Sequence, residues 1–108
     1  MAYTYTATLD ERVVFKLPNK VGILFGRINI SNYNSTHAQI VEITSKFKTI
    51  IRVITSMSSG GFGTSWDQAV GSIICYKNGG TPTSNPLTEA SAADNPGNID
   101  FVAVGVLT

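Results

Sequence analysis

Apolar and polar residues alternate along most of the chain with the two-residue period of β-strands. Near the start, one face of such a strand holds apolar residues with threonines between them, namely Tyr3, Tyr5, Ala7 and Leu9. Similar alternation or β-branched runs recur in RVVFKL, ILFGRINISNY, TIIRVITS, SIICYK and IDFVAVGVL. Successive side chains of a strand point to opposite faces, so each segment predicts a strand with one or both faces buried. Seven or eight short strands in 108 residues are typical of a single all-β domain, a sandwich or a barrel, spanning residues 1–108.

Several short segments interrupt the strands. LPNKVG predicts a turn because Pro18 fixes one backbone dihedral angle. Gly26 breaks the alternation and predicts a bulge or a close backbone approach. Residues 41–46 predict one helical turn that leads into a long strand, Lys48–Met57, rich in β-branched residues. The Gly-rich SSGGFG predicts a hairpin whose return strand begins near Phe62, and the closing IDFVAVGVL predicts a central strand.

A long polar arm precedes the last strand. Residues 78–98 consist mainly of Gly, Pro, Asn, Ser, Thr and Ala, although hairpins usually connect strands with about 2–5 residues. Pro82, Pro86 and Pro96 stiffen this segment before it binds anything, which lowers the entropic cost of ordering it. Its single large apolar side chain, Leu87, is a candidate anchor. We expect an extended arm that docks on a neighbouring subunit; a mobile loop without a partner is the alternative.

Exposed aromatic residues are a second candidate contact. Tyr3 and Tyr5 lie in a terminal segment, where aromatic side chains are either held by a sheet or buried against another subunit. Trp66 either completes the core or lies at its rim, where it would form a stacking platform for a sugar together with Tyr76. Burial in the core is the favoured interpretation of Trp66.

Composition and charge limit the kinds of partner that the sequence predicts. Charged residues make up 14% of the chain, well below the usual value of about 25%. Such a surface is either covered by partners or is an ordinary polar surface built from uncharged residues. The net charge of +1 gives no signal for a nucleic-acid partner. No secretory signal is recognisable, and no apolar run approaches the roughly 18 residues of a membrane helix. The sequence therefore predicts a soluble protein made in a cytoplasm, without a membrane partner.

No combination of residues predicts catalysis, a cofactor or a metal site. The single histidine, His37, lies in a polar loop and is expected to be solvated, while a metal site needs several converging ligands. Cys75 is the only cysteine, so an intrachain disulfide is impossible, and its apolar strand predicts a buried thiol. Glu89, Asp94 and Asp100 have the wrong spacing for a calcium loop. We therefore predict a protein without catalytic residues, cofactor or metal.

The order of these segments resembles the small structural proteins of tailed bacteriophages. The likeness lies in MAYT followed by alternating strands, in ITSKFKTIIRVITS, in SIICYK and in the closing IDFVAVG, and it covers most of the chain. It implies a β-sandwich of jelly-roll type that decorates or cements a capsid, and it carries over no catalytic residue. The arm is longer than this pattern implies.

The resulting hypothesis is a non-enzymatic capsid decoration or cement protein on the virion surface, assembled in the host cytoplasm. Its expected partners are the major capsid protein, copies of itself in a homo-oligomer, or both. Tyr3, Tyr5, Pro82, Pro86, Leu87 and Pro96 are the predicted contact residues. The alternatives are a tail or head-vertex component and a small carbohydrate-binding sandwich.

Overall fold

Alternating sequence segments form seven strands within residues 3–16, 18–77 and 88–108, which the computed structural model describes. The strands are β1 (Thr4–Lys16), β2 (Val21–Asn32), β3 (Phe47–Thr55), β4 (Gly63–Asp67), β5 (Ser72–Lys77), β6 (Thr88–Glu89) and β7 (Gly97–Leu107). One helical turn, α1 (Val41–Thr44), leads into β3 as predicted. The strands make two antiparallel sheets, ordered β1-β2-β7-β3 and β4-β5-β6. The predicted all-β, sandwich-like fold is therefore confirmed.

The first two strands form a long hairpin. The sequence indicated two separate strands before the turn, but β1 is a single strand with an irregular register between Asp10 and Phe15. A 3-10 turn at Pro18–Lys20 closes the hairpin, and Lys20 there has a positive φ of 63°. The predicted turn is confirmed. The expected division into two strands is wrong, because an irregular register between Asp10 and Phe15 lets one strand continue.

The last strand lies at the centre of the larger sheet, as its apolar sequence predicted. β7 pairs with β2 on one side and with β3 on the other. At Gly26 the register continues without a bulge, and a Cβ atom there would lie 2.7 Å from the Phe101 ring. The close backbone approach, one of the two predicted explanations of Gly26, is therefore the correct one.

The core lies between the two sheets. Inward-facing residues of β2, β5 and β7 fill it, together with residues of the loop that leads to α1; the largest fully buried side chains are Tyr33, Ile28, Ile30, Ile40, Ile43, Ile73 and Ile99. Cys75 is buried among them, as predicted. Alternation thus places the apolar side chains of both sheets on facing surfaces.

The Gly-rich segment after β3 crosses from one sheet to the other. The Ser58 N–H donates to the Phe62 carbonyl at 2.9 Å, and Gly61 has a φ of 86°. β4 then pairs with β5 in the second sheet and makes no strand pairing with β3. The predicted hairpin is therefore wrong, although the position of the return strand is close to the prediction, because a tight Gly turn does not specify which sheet receives the next strand.

The described end of the predicted arm packs against the rest of the chain. Residues 88–98 contain β6, which pairs with β5. The turns that follow make two backbone hydrogen bonds with Tyr33. The Tyr33 N–H donates to the Asp94 carbonyl, and the Ala93 N–H donates to the Tyr33 carbonyl. Ala90 and Pro96 are buried. Residues 78–87 of the predicted arm lie outside the described residues.

Candidate functional site

The larger sheet has an outer face, directed away from the second sheet, that carries apolar as well as polar side chains. Here the outer face means the outward positions of β1, β2, β7 and β3. Three pairs of half-buried apolar residues lie directly opposite each other on β2 and β7, namely Val21–Val106, Ile23–Val104 and Phe25–Val102. Outward positions of a sheet that faces only water are usually polar. The outer face is therefore the first candidate for an interaction surface.

A groove of about 620 Å³ crosses the outer face at one end of this apolar strip. Phe25 and Val102 contribute to its lining, and Ile54 of β3, 63% exposed, lies at its side. Thr8 and Asp10 of β1 lie at the opposite side. The groove thus presents apolar surface with a polar margin, the composition that protein–protein contact sites combine.

An ion pair lies beside this groove. Arg27 Nε donates to Asp100 Oδ1 at 2.8 Å, and both side chains are more than half exposed. The Asp100 N–H donates to Ser56 Oγ at 3.0 Å, which fixes the end of β3 against β7. A solvent-exposed pair contributes little to stability, so Arg27 and Asp100 add two exposed charges to the groove without contributing much to folding.

Other exposed apolar residues continue this surface along β3 and the residue pair after it. Ile51 is 55% exposed and Met57 is 70% exposed. Together with Ile54 they make an apolar margin on one edge of the sheet. Exposed apolar groups that cluster, rather than occurring singly, mark interaction sites.

A second cluster, called here the Tyr33 cluster, consists of Tyr33, His37 and Glu89. The fully buried Tyr33 donates its hydroxyl hydrogen to Glu89 Oε2 at 2.7 Å and accepts the Cys75 N–H at 3.3 Å. His37 Nε2 lies 2.8 Å from both the Tyr33 hydroxyl and Glu89 Oε2. The His37 side chain is only 11% exposed. The expectation of a solvated His37 is wrong, because its ring packs against the rings of Tyr3 and Tyr33 and its Nε2 contacts Glu89, which lies 52 residues later in the chain.

Protonation in the Tyr33 cluster follows from burial and hydrogen bonding. Burial raises the pKa of the Tyr33 hydroxyl above its ordinary value, and the hydrogen bond to Glu89 raises it further. Burial alone would raise the pKa of Glu89, but the hydrogen bonds from Tyr33 and His37 outweigh it and hold that pKa below its ordinary value. Burial, followed by the Glu89 charge, raises the pKa of Cys75 to about 12. At neutral pH Glu89 is therefore a carboxylate, Tyr33 a phenol and the neighbouring Cys75 a thiol, which suits a structural tie better than a nucleophile.

The predicted contact residues differ in how deeply they are buried and in whether the structure describes them. Tyr3 is buried, its hydroxyl donates to the Ile73 carbonyl at 2.8 Å, and its ring packs edge-on against Tyr5 at 6.2 Å between ring centres. Tyr5 is half-buried and donates to Glu42 Oε1 at 2.7 Å. Pro96 is fully buried within the chain. Pro82, Pro86 and Leu87 lie outside the described residues, so a partner contact through them stays a prediction.

The two residues of the predicted sugar platform are not freely exposed. Trp66 is half-buried, packs against the core and donates its indole N–H to Gln68 Oε1 at 2.8 Å. Tyr76 is half-buried, and its hydroxyl accepts from Ser65 at 3.3 Å. The favoured interpretation, burial of Trp66 in the core, is therefore close to what is found, since the half-buried ring packs against the core.

Sequence reasoning missed the outer face, although a signal was present. β2 and β7 carry apolar residues at inward and outward positions alike, but the alternation by itself predicts only that one or both faces of a strand are buried. A strand that is apolar on both sides requires either a second covering layer within the chain or a partner.

Metal and membrane signals are absent from residues 3–16, 18–77 and 88–108. No group of three or more His, Cys, Asp or Glu side chains in those ranges is arranged to hold a metal ion. No helix in the same ranges is long and apolar enough to cross a bilayer.

Comparison with known proteins identifies no relative of this chain. No protein-family model, no curated protein and no solved structure matches this chain.

Proposed function

We propose that this chain is a non-enzymatic structural protein of a tailed-bacteriophage virion, which decorates or cements the capsid. The observation that carries the proposal is the outer face, where three apolar cross-strand pairs lie beside the groove. A protein that holds capsid subunits together needs a preformed surface of this kind rather than a catalytic pocket. The order of sequence segments, which resembles that of phage structural proteins, gives the same indication.

The proposed partner is the major capsid protein, which the chain contacts through the outer face. Burying half-exposed valine, isoleucine and phenylalanine side chains there is favourable by about 25 cal/mol per Å² of apolar surface. The exposed Arg27–Asp100 pair at the groove selects the orientation of the partner. In this proposal the chain assembles on the particle in the host cytoplasm and ends on the capsid surface.

The test is quantitative mass spectrometry of purified particles of a phage that encodes the chain, with the major capsid protein as the internal reference. A copy number near one per capsid subunit supports decoration or cementing. A few copies per particle would move the chain to the tail or a head vertex. Absence from the particle would overturn the virion proposal.

A further inference from the structure

The two edges of the larger sheet differ in how well they are protected against pairing with another strand. On the β3 edge, Lys48 and Arg52 are exposed, and the register with β7 is irregular at two places. Gln68 Nε2 donates to the Ile50 carbonyl at 2.9 Å, and Thr64 Oγ1 donates to the Ser56 carbonyl at 2.6 Å. Charged side chains, bulges and capped carbonyls are the features that keep an edge strand from pairing.

The β1 edge has none of these protections over residues 5–9. The segment Tyr5–Leu9 contains no charged residue and no proline, and its register with β2 runs without a shift. Among the described residues, only β2 forms hydrogen bonds to its backbone. Alternate N–H and C=O groups of this regular strand therefore point outward, ready for another strand.

The side chains of this segment are arranged to match a copy of themselves. Thr6 and Thr8 are exposed on the outer face. Tyr5, Ala7 and Leu9 point inward and are only half-buried, packed against the margin of the core. The inward side of β1 is therefore a largely apolar surface, which the second sheet covers incompletely and which α1 contacts at one end, where the Tyr5 hydroxyl donates to Glu42.

We propose that β1 pairs antiparallel with β1 of a second copy around a twofold axis at Ala7. Tyr5 then lies opposite the partner's Leu9, Thr6 opposite the partner's Thr8, and the two Ala7 residues face each other. Apolar residues meet apolar residues on the inner side, and threonines meet threonines on the outer side. The two four-stranded sheets become one continuous antiparallel sheet.

The pattern of charge and polarity identifies a second copy as the partner. A shift of one residue in the pairing would move every side chain to the wrong face, whereas the register centred on Ala7 keeps both faces matched. Pairing through β3 instead would bring Lys48 and Arg52 of two copies together, and like charges on neighbouring strands are destabilising. This dimer does not depend on the virion proposal, since it is expected of the purified chain in solution.

Two double variants that differ only at residue 6 test the register. Thr6→Glu with Thr8→Glu places a glutamate opposite each partner glutamate, while Thr6→Lys with Thr8→Glu places opposite charges there. Thr8→Glu is common to both, so its effect on the neighbouring Arg27 of β2 cancels in the comparison. Analytical ultracentrifugation over a concentration series should give a dimer dissociation constant that is at least about tenfold higher for the Glu/Glu variant than for the Lys/Glu variant.

Disulfide cross-linking is an independent test of the β1–β1 register centred on Ala7. Directly opposite residues have Cα atoms about 4.5–5.5 Å apart, within the range that a disulfide spans. Ala7→Cys should therefore give a covalent dimer under a mild oxidant. Thr8→Cys should not, because position 8 lies opposite the partner's Thr6 and the two residues 8 are more than about 7 Å apart. The native Cys75 is buried and does not interfere.

Three outcomes would overturn the proposal. They are a wild-type chain that stays monomeric over the whole concentration series, equal dimerisation by the two double variants, or equal cross-linking of the Ala7→Cys and Thr8→Cys variants. Circular dichroism of each variant establishes that it is folded before its association is compared.

Discussion

Among single residues, Gly26 makes the clearest connection between sequence and packing. A Cβ at this position would lie 2.7 Å from the Phe101 ring and 2.8 Å from the Thr8 carbonyl oxygen. Backbone and a packed ring cannot both move aside, so Gly26→Ala should lower the free energy of unfolding by about 1–3 kcal/mol. Urea denaturation measures this loss.

Gly63→Ala is the matched control for that substitution. A Cβ at Gly63 would lie 3.9 Å from Cβ of Tyr76, an ordinary contact. Alanine also reduces the freedom of the unfolded chain, so the control should be neutral or more stable by about 0.5 kcal/mol. Equal losses in both variants would mean that any side chain in these strands is harmful and that the Phe101 contact is not the cause.

The Tyr33 hydroxyl is the second group whose removal has a defined consequence. Tyr33→Phe takes a donor from Glu89 and leaves the buried Cys75 N–H without its acceptor. An unsatisfied buried group costs about 1–3 kcal/mol, so the midpoint of urea unfolding should fall. Within residues 3–16, 18–77 and 88–108, Tyr76→Phe removes a single long contact of 3.3 Å with Ser65 and should cost about 0.5 kcal/mol or less. A Tyr33→Phe variant as stable as Tyr76→Phe would contradict the role of the Tyr33 cluster.

At the level of elements, the Tyr33 cluster ties the loop before α1 to β6, and this tie depends on pH. The pKa of Glu89 is lowered in the folded chain, so the unfolded chain binds more protons in the acidic range. The stability that this carboxylate contributes is present at neutral pH and is lost as pH falls through the folded pKa, below the ordinary value of 4.5. Asp94, whose pKa the Ser91 N–H and Lys77 also lower, adds to the same acid dependence.

Glu89→Gln tests this assignment. The variant should lose roughly 1 kcal/mol at neutral pH, a value reduced for the partial exposure of the carboxylate, and should lose less stability on acidification than the wild type. Thermal unfolding from neutral pH down to below about 4 gives both slopes. Thr88→Val, which changes no titratable group of β6, should keep the wild-type slope. Parallel curves for Glu89→Gln and the wild type would show that the hydrogen bonds do not favour the charged form.

The same elements show what a sequence can and cannot specify. The alternation of Tyr5, Ala7 and Leu9 with threonines predicted the faces of β1, because the two-residue period is a local property. The β-branched run after residue 46 predicted β3, and the apolar run at the end predicted a central β7. In contrast, His37 and Glu89 meet although they are 52 positions apart, and nothing local indicates that contact.

The errors have the same physical origin. The Gly-rich turn before β4 predicted a reversal of direction but not the change of sheet, since that choice depends on which apolar faces meet. The groove was missed because it needs β1, β2, β7 and β3 side by side, and strand order was not derivable from spacing alone.

For the whole molecule, the two proposed contacts use largely different surfaces, since the apolar strip lies on β2 and β7 while self-pairing uses the edge of β1, which reaches the groove at Thr8. Pairing through β1 extends the sheet sideways, so it leaves the apolar strip on β2 and β7 exposed in the dimer. A dimer would then present two copies of the outer face on the same side of a continuous sheet. Two linked binding surfaces hold a lattice far more tightly than one, provided that their spacing matches the lattice.

This arrangement makes Ile54 the best residue for testing the proposed function. Ile54 is 63% exposed beside the groove, so Ile54→Glu should change the free energy of unfolding by no more than about 0.5 kcal/mol. It places a charge in the apolar part of the proposed interface and should sharply reduce binding to particles that lack the chain. Co-sedimentation of purified variants with such particles measures this binding.

Val70→Glu is the control for surface charge alone, because Val70 is 41% exposed in the turn after β4, in the second sheet. It should bind particles as the wild type does. If both variants bind normally, the outer face is not the capsid contact, although a virion role through the predicted arm would stand. If both lose binding, added negative charge rather than position is the cause. Loss in Ile54→Glu alone, with the β1 dimer intact by ultracentrifugation, would locate the capsid contact on the outer face and separate it from self-association.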